Sequence, residues 1–74
     1  MKVEISDPSL AEDLISFLRR ARCEAEHEEG GELAVRMPGA LPEVAARLEL
    51  EAYLTAWQSL HPGVRARRRP AYVL

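Results

Sequence analysis

Cysteine and histidine are the side chains of this 74-residue chain best suited to catalysis or metal binding, and they are few. Cys23 is the single cysteine, and His27 and His61 lie far apart in the sequence. A catalytic thiol needs a nearby base and a lowered pKa, whereas Cys23 opens an alternating segment at a position that predicts a packed, inert side chain. Cys23 and His27 share the inward side of the same predicted strand, but on a straight strand they would lie about 13 Å apart, too far to share one ion. We therefore predict no catalytic residue, no metal and no cofactor.

Glycine pairs and clustered carboxylates can also carry chemistry, but their context here favours structural roles. Gly30-Gly31 lies between two alternating segments, which predicts a hairpin turn and not a phosphate-binding loop. The glutamates from Glu24 to Glu32 have no feature that would give two of them unequal pKa values in a buried pair. They are interpreted as a solvated strand face.

Nucleic-acid binding is disfavoured by the aromatic content and by the charge. RNA-recognition domains with a βαββαβ order stack bases on aromatic residues of their two central strands. The corresponding segments here, 2–6 and 33–37, contain no aromatic residue, and the net charge is −2. The run from Arg65 to Arg69 is too short to change that expectation.

Length limits the stability of the chain and favours a partner. A single domain of 74 residues has a core that supplies roughly 3–5 kcal/mol, and such domains usually need a disulfide, a metal or a second subunit. A lone cysteine excludes an internal disulfide. Oligomerisation, most simply as a homodimer, is therefore expected.

Location and origin follow from composition. A lone cysteine is typical of a reducing compartment, no segment approaches the ~20 apolar residues of a membrane span, and the residues after Met1 lack the apolar run of a signal peptide. These features predict a cytoplasmic protein. The strong excess of Arg over Lys, with abundant Ala, Leu and Glu, is typical of a high-GC bacterial genome.

The pattern of apolar residues predicts six elements. Alternation predicts strands over residues 2–6, 23–28, 33–37 and 64–68, and helical spacing predicts helices over about 8–21 and 42–60. Asp7 is the predicted N-cap of the first helix, with Pro8 at its first position. Pro70 ends the last strand, and residues 70–74 form an apolar tail.

The order strand, helix, hairpin, helix, strand resembles the split βαβ plan of ferredoxin-like domains over the whole chain. It predicts an α+β fold with a four-stranded antiparallel sheet in the order 4-1-3-2 and both helices on one face. The competing interpretation is a βαββα fold in which residues 64–74 are disordered or swapped onto a partner. The plan hosts many unrelated functions and implies no activity.

Two surfaces are candidate interfaces in this plan. The open sheet face would carry Arg65, Arg67 and Arg69 at one edge and Glu24, Glu26 and Glu28 at the other. A two-fold dimer could pair these edges, although they could equally be solvated strand faces.

The second surface is on the second helix, which has two apolar sectors where a small sheet needs one. We hypothesise that the sector with Leu50, Tyr53, Leu54 and Trp57 forms a homodimer or adaptor interface, because Trp and Tyr are common interface anchors. The alternative is that the first helix covers this sector.

The function that these features favour is a non-enzymatic, self-associating adaptor or regulatory module that binds protein. The alternative is a sensor for a small molecule of amino-acid type at a subunit interface. Asp7, Ser9 and the start of the first helix would serve such a ligand, although helix capping explains the same residues.

Overall fold

Four strands and two α-helices follow one another in the order βαββαβ in the computed structural model, which describes residues 1–39 and 41–69. The elements are β1 (Lys2–Ile5), a 3₁₀ turn (Pro8–Leu10), α1 (Ala11–Arg20), β2 (Glu24–His27), β3 (Glu32–Arg36), α2 (Glu43–Ser59) and β4 (Ala66–Arg68). The sheet order is β2-β3-β1-β4 and every pairing is antiparallel. The predicted fold class and strand order are confirmed. The predicted apolar tail, residues 70–74, lies outside the described residues.

One face of the sheet forms the core. The inward side chains Val3, Ile5, Ala25, Leu33 and Val35 are buried, whereas their outward neighbours on the strands are exposed or half-buried. Helix α1 packs on β2, and helix α2 packs on β4. Both helices therefore cover the same face, and the opposite face of the sheet lies open.

The first helix begins as predicted but with a tighter first turn. The Asp7 carboxylate accepts a hydrogen bond from the Ser9 amide at 3.1 Å, and Pro8 follows as the first helical residue. The amide of Leu10 donates to the carbonyl of Asp7, a three-residue spacing that gives a 3₁₀ turn. The α-helix itself therefore begins at Ala11 and not at residue 8.

The end of α1 places Cys23 in the core. Arg22 has a positive φ of 70°, and the Cys23 amide donates to the Leu18 carbonyl at 3.0 Å. This is the Schellman arrangement that commonly ends helices, here without its usual glycine. The chain then turns directly into β2.

The last strand is shorter than predicted. The Val64 amide bonds to the carbonyl of His61, and the Arg65 amide donates to the Ser6 hydroxyl at 2.9 Å. The amides of Val64 and Arg65 are therefore not used in the ladder and β4 begins at Ala66, although the Arg65 carbonyl still accepts from the Ser6 amide at 2.8 Å. Arg69 still donates its amide to the carbonyl of Lys2 at 2.8 Å.

The hairpin turn needs a glycine at one position. The carbonyl of Gly31 accepts from the Ile5 amide at 2.7 Å, and a Cβ at Gly31 would overlap the carbonyl oxygen of Ile5. The turn therefore lies against the neighbouring strand β1, which fixes the hairpin in register with the centre of the sheet.

Candidate interaction surface

The inward side of α2 belongs to the core. Leu50, Leu54 and Trp57 are 0%, 2% and 0% exposed. The hypothesis that these three residues line an interface is therefore wrong, because their surfaces are already used within the chain. Helix α1 and the sheet cover them, as the alternative prediction held.

Hydrogen bonds and ring stacking also hold Trp57 in place. Its indole Nε1 donates to the Asp13 carboxylate on α1 at 3.0 Å, and the imidazole of His61 stacks on it with ring centroids 4.1 Å apart. Nδ1 of His61 lies 2.9 Å from the Trp57 carbonyl, and its Nε2 lies 3.4 Å from Asp13. Trp57 therefore joins the two helices and does not project towards a partner.

Tyr53 lies at the margin of the same sector and is half-buried. Its hydroxyl donates to the Glu49 carboxylate at 2.9 Å. That hydrogen bond raises the pKa of Tyr53, with smaller contributions from burial and from the Glu49 charge. Tyr53 is the member of the predicted set that stays partly accessible.

The opposite side of α2 is apolar and exposed. We define the outer face of α2 as Val44, Leu48, Ala52, Thr55 and Ala56, all of which are exposed. Val44 and Leu48 show 60% and 66% of their surface. No member carries a charge, so the outer face is an uncharged strip along the helix.

The open sheet face carries the predicted charges at its two edges. Arg65, Arg67 and Arg69 lie along the β4 edge, and Glu24, Glu26 and Glu28 lie along the β2 edge; all six residues are exposed. The chain already uses part of this complementarity, because Arg69 pairs with Glu4 at 3.3 Å and also with Glu32, and Lys2 pairs with Glu28. The sheet face is therefore a partly neutralised surface, and its role as an interface stays a prediction.

Cys23 is buried against a methionine. Its thiol Sγ lies 3.7 Å from the Met37 sulfur, and burial, followed by the charge of Glu49, raises its pKa. A raised pKa leaves less of the nucleophilic thiolate at neutral pH. The geometry therefore gives Cys23 a packing role.

The histidines do not join the cysteine. His27 was expected to share the inward side of β2 with Cys23, but it is exposed, and its Nε2 lies 2.6 Å from the Gly30 carbonyl in the hairpin. The predicted parity is kept, because His27 lies opposite the buried Leu33 on β3, but β2 ends at His27 and leaves its side chain exposed. Within residues 1–39 and 41–69, no three His, Cys, Asp or Glu side chains lie close enough to hold a metal ion.

The loop after β1 is occupied by its own side chains. The Asp7 carboxylate accepts hydrogen bonds from both the amide and the hydroxyl of Ser9, at 3.1 and 2.6 Å. The turn that it caps has three residues. The geometry therefore favours the capping role over the predicted ligand site.

The sequence does contain a signal for which sector of α2 is buried, namely the size of the side chains. That sector holds two leucines and the single tryptophan, whereas the outer face is mostly alanine and threonine. A sheet with short strands fills its core best with the largest apolar side chains available.

Comparisons with protein-family models, with curated proteins and with solved structures give no match for this chain. Among the described residues, no helix is long and apolar enough to cross a membrane.

Proposed function

We propose that this chain is a non-enzymatic interaction module that self-associates through the outer face of α2 and acts as a small adaptor or regulatory component. The observation that carries the proposal is the exposure of Val44 and Leu48, at 60% and 66%, on a helix whose other side already fills the core. Clustered apolar surface left open in this way is typical of protein–protein contact sites.

A second copy of the chain is the partner that fits this surface best. A two-fold contact places the same surface of both subunits together, and the outer face has no charged side chain that would meet its own copy. The basic and acidic edges of the sheet could also pair between copies, but ion pairs within the chain already engage Arg69 and Glu28.

The dimensions of the outer face predict a weak contact. The outer face covers residues 44–56 of α2, so the strip is about 20 Å long and about 10 Å wide. Such a strip is well below the about 800 Å² per partner of a standard stable complex. We therefore expect a dissociation constant in the micromolar range or weaker.

Sedimentation equilibrium tests this proposal. The mass of the full chain is measured from about 1 μM to about 1 mM, the range that corresponds to binding free energies of about −8 to −4 kcal/mol. We expect a concentration-dependent rise towards the dimer mass. Leu48→Glu should keep the chain monomeric over the whole range, because it places two negative charges in the contact.

Ser16→Glu is the matched control, since Ser16 is exposed on α1, away from the outer face. It introduces the same charge and should leave the association unchanged. Circular dichroism should show both variants folded. A wild-type chain that stays monomeric throughout, or a Leu48→Glu chain that dimerises like the wild type, would contradict the proposal.

A further inference from the structure

A groove lies at the end of the sheet where β3 stops and α2 begins. It has a volume of about 490 Å³. Its apolar lining includes Met1, Met37, Leu41 and Ala46, and Glu26 and Arg36 lie on its polar side. Met37 is buried, whereas Met1 and Leu41 are exposed. The groove is therefore a concave surface, open to solvent, whose lining is partly apolar and partly charged.

The described part of the chain ends beside this groove. Strand β4 runs antiparallel to β1, with Ala66 opposite Ile5 and Arg68 opposite Val3. The Arg69 amide donates to the Lys2 carbonyl, so the described chain stops next to Lys2, at the Met1 end of β1. Met1 in turn exchanges backbone hydrogen bonds with Val35 on β3.

The segment that follows has the length to reach the groove. Residues 70–74 read Pro-Ala-Tyr-Val-Leu, and five extended residues span about 16 Å. From β4 across β1 to β3 is two strand spacings, or about 10 Å. The segment can therefore cross the end of β1 and enter the groove of its own chain.

The chemistry of the segment matches the apolar part of the lining. Its five residues are all uncharged, and three of them have large apolar or aromatic side chains. Methionine adapts its shape to a neighbour, and its sulfur contacts aromatic rings favourably at about 5 Å. Met1 and Met37 are the two methionines of the chain, and both line the groove.

We propose that residues 70–74 bind in this groove of the same chain, with Tyr72 against the methionine side chains. The segment then acts as an intramolecular ligand that covers Met1 and Leu41. This inference does not depend on the outer face of α2, which lies on the side of that helix turned away from the sheet.

Methyl NMR of the full chain tests the proposal. With ¹³C-labelled methionine methyl groups, the chain gives two signals, one each from Met1 and Met37. We expect nuclear Overhauser effects from the Tyr72 ring to these methyl groups, because a methionine–aromatic contact places the sulfur only about 5 Å from the ring. Tyr72→Ser should remove these effects and shift both methionine signals.

Leu60→Ser is the matched control. Leu60 is an exposed apolar residue that follows α2 at the end away from the groove, so its replacement should leave both signals in place. If Tyr72→Ser leaves the signals where they are and the Tyr72 ring shows no contact with either methyl group, the proposal is overturned.

A mixed sample distinguishes binding of residues 70–74 within one chain from binding of this segment to a second copy. Labelled and unlabelled chains are combined, and Overhauser effects between them would place the segment on a partner, which contradicts the proposal. The measurement is repeated with Leu48→Glu, in which the proposed contact of the outer face is removed. Persistence of the Tyr72 contacts in that variant supports binding within one chain, whatever the outcome for self-association.

Discussion

The two sides of α2 are both apolar, yet they have opposite places in the molecule. The inward side, with Leu50, Leu54 and Trp57, is buried, whereas the outer face leaves Val44 and Leu48 more than half exposed. The inward residues are two leucines and the tryptophan, whereas the outer face has one leucine beside a valine, a threonine and two alanines. The difference shows that apolar periodicity locates a helix, while side-chain volume selects the side that fills the core.

The largest expected difference between the two sides is in stability. Trp57→Ala should lower the free energy of unfolding by about 3–5 kcal/mol, which is comparable to the whole stability of a domain of this size. Leu48→Ala should change it by less than about 0.5 kcal/mol. Urea titrations followed by circular dichroism measure both values. Equal losses in the two variants would show that the outer face is not a free surface.

A smaller effect should come from the hydrogen bond that anchors the inward side. Asp13→Ala removes the acceptor of the Trp57 indole, and we expect a loss of about 1 kcal/mol, at the modest end because the carboxylate is half exposed. Glu12→Ala is the control, since Glu12 is also an acidic residue in the first turn of α1. It should cost only about 0.3–0.5 kcal/mol through the helix dipole. The same denaturation experiment compares the two variants. If Glu12→Ala lowers the free energy of unfolding as much as Asp13→Ala does, the hydrogen bond to the indole makes no additional contribution.

Salt sharpens the comparison between the outer face and the charged sheet face as contact surfaces. Raising the salt from about 0.1 to about 1 M shortens the Debye length from about 10 to about 3 Å. Association through the uncharged outer face should be unchanged, whereas pairing of Arg67 with a partner's acidic edge should weaken. Sedimentation equilibrium at both salt concentrations measures the difference. A large loss of affinity at high salt would indicate that the chains associate through the charged sheet face and not through the outer face of α2.

The smallest expected effect is on stability in alkaline solution. It concerns the Cys23 thiol and the nearby Glu49, which lies between the two sides of α2. Burial and the Glu49 charge raise the pKa of Cys23 above its reference value of 9.0. The folded chain then holds this proton more tightly than the unfolded chain, so its stability should be full below that pH and fall as the pH rises above it. Cys23→Ala should reduce the fall, and Tyr53, whose pKa is also raised, should account for part of the remainder. Urea titrations on both sides of pH 9.0 measure the change. An identical decline in the variant would show that the thiol contributes nothing to it.

The fold was predictable because its signals are local. Alternating residues mark each strand, Asp7-Pro8 marks the start of a helix, and Gly30-Gly31 marks the hairpin, so the element order follows from neighbouring residues. Right-handed connections between those elements then give the sheet order. The side of α2 that faces the core could not be predicted in this way. The helix has two apolar sectors, and which of them is buried depends on how the helix packs on the assembled sheet. The groove was not foreseen either, since Met1, Met37 and Leu41 are brought together by strand pairing and not by spacing in the sequence.

The pairing of β4 with β1 has a consequence for how the chain is made. Arg65 and Ser6 are joined by a hydrogen bond although they are 59 positions apart in sequence, so β1 gains its second neighbour only when the last strand has left the ribosome. Until then a central strand has an open edge, which is a template for wrong pairing with other chains. Slow translation or early termination of this protein should therefore favour aggregation more than the loss of three strand residues alone would suggest.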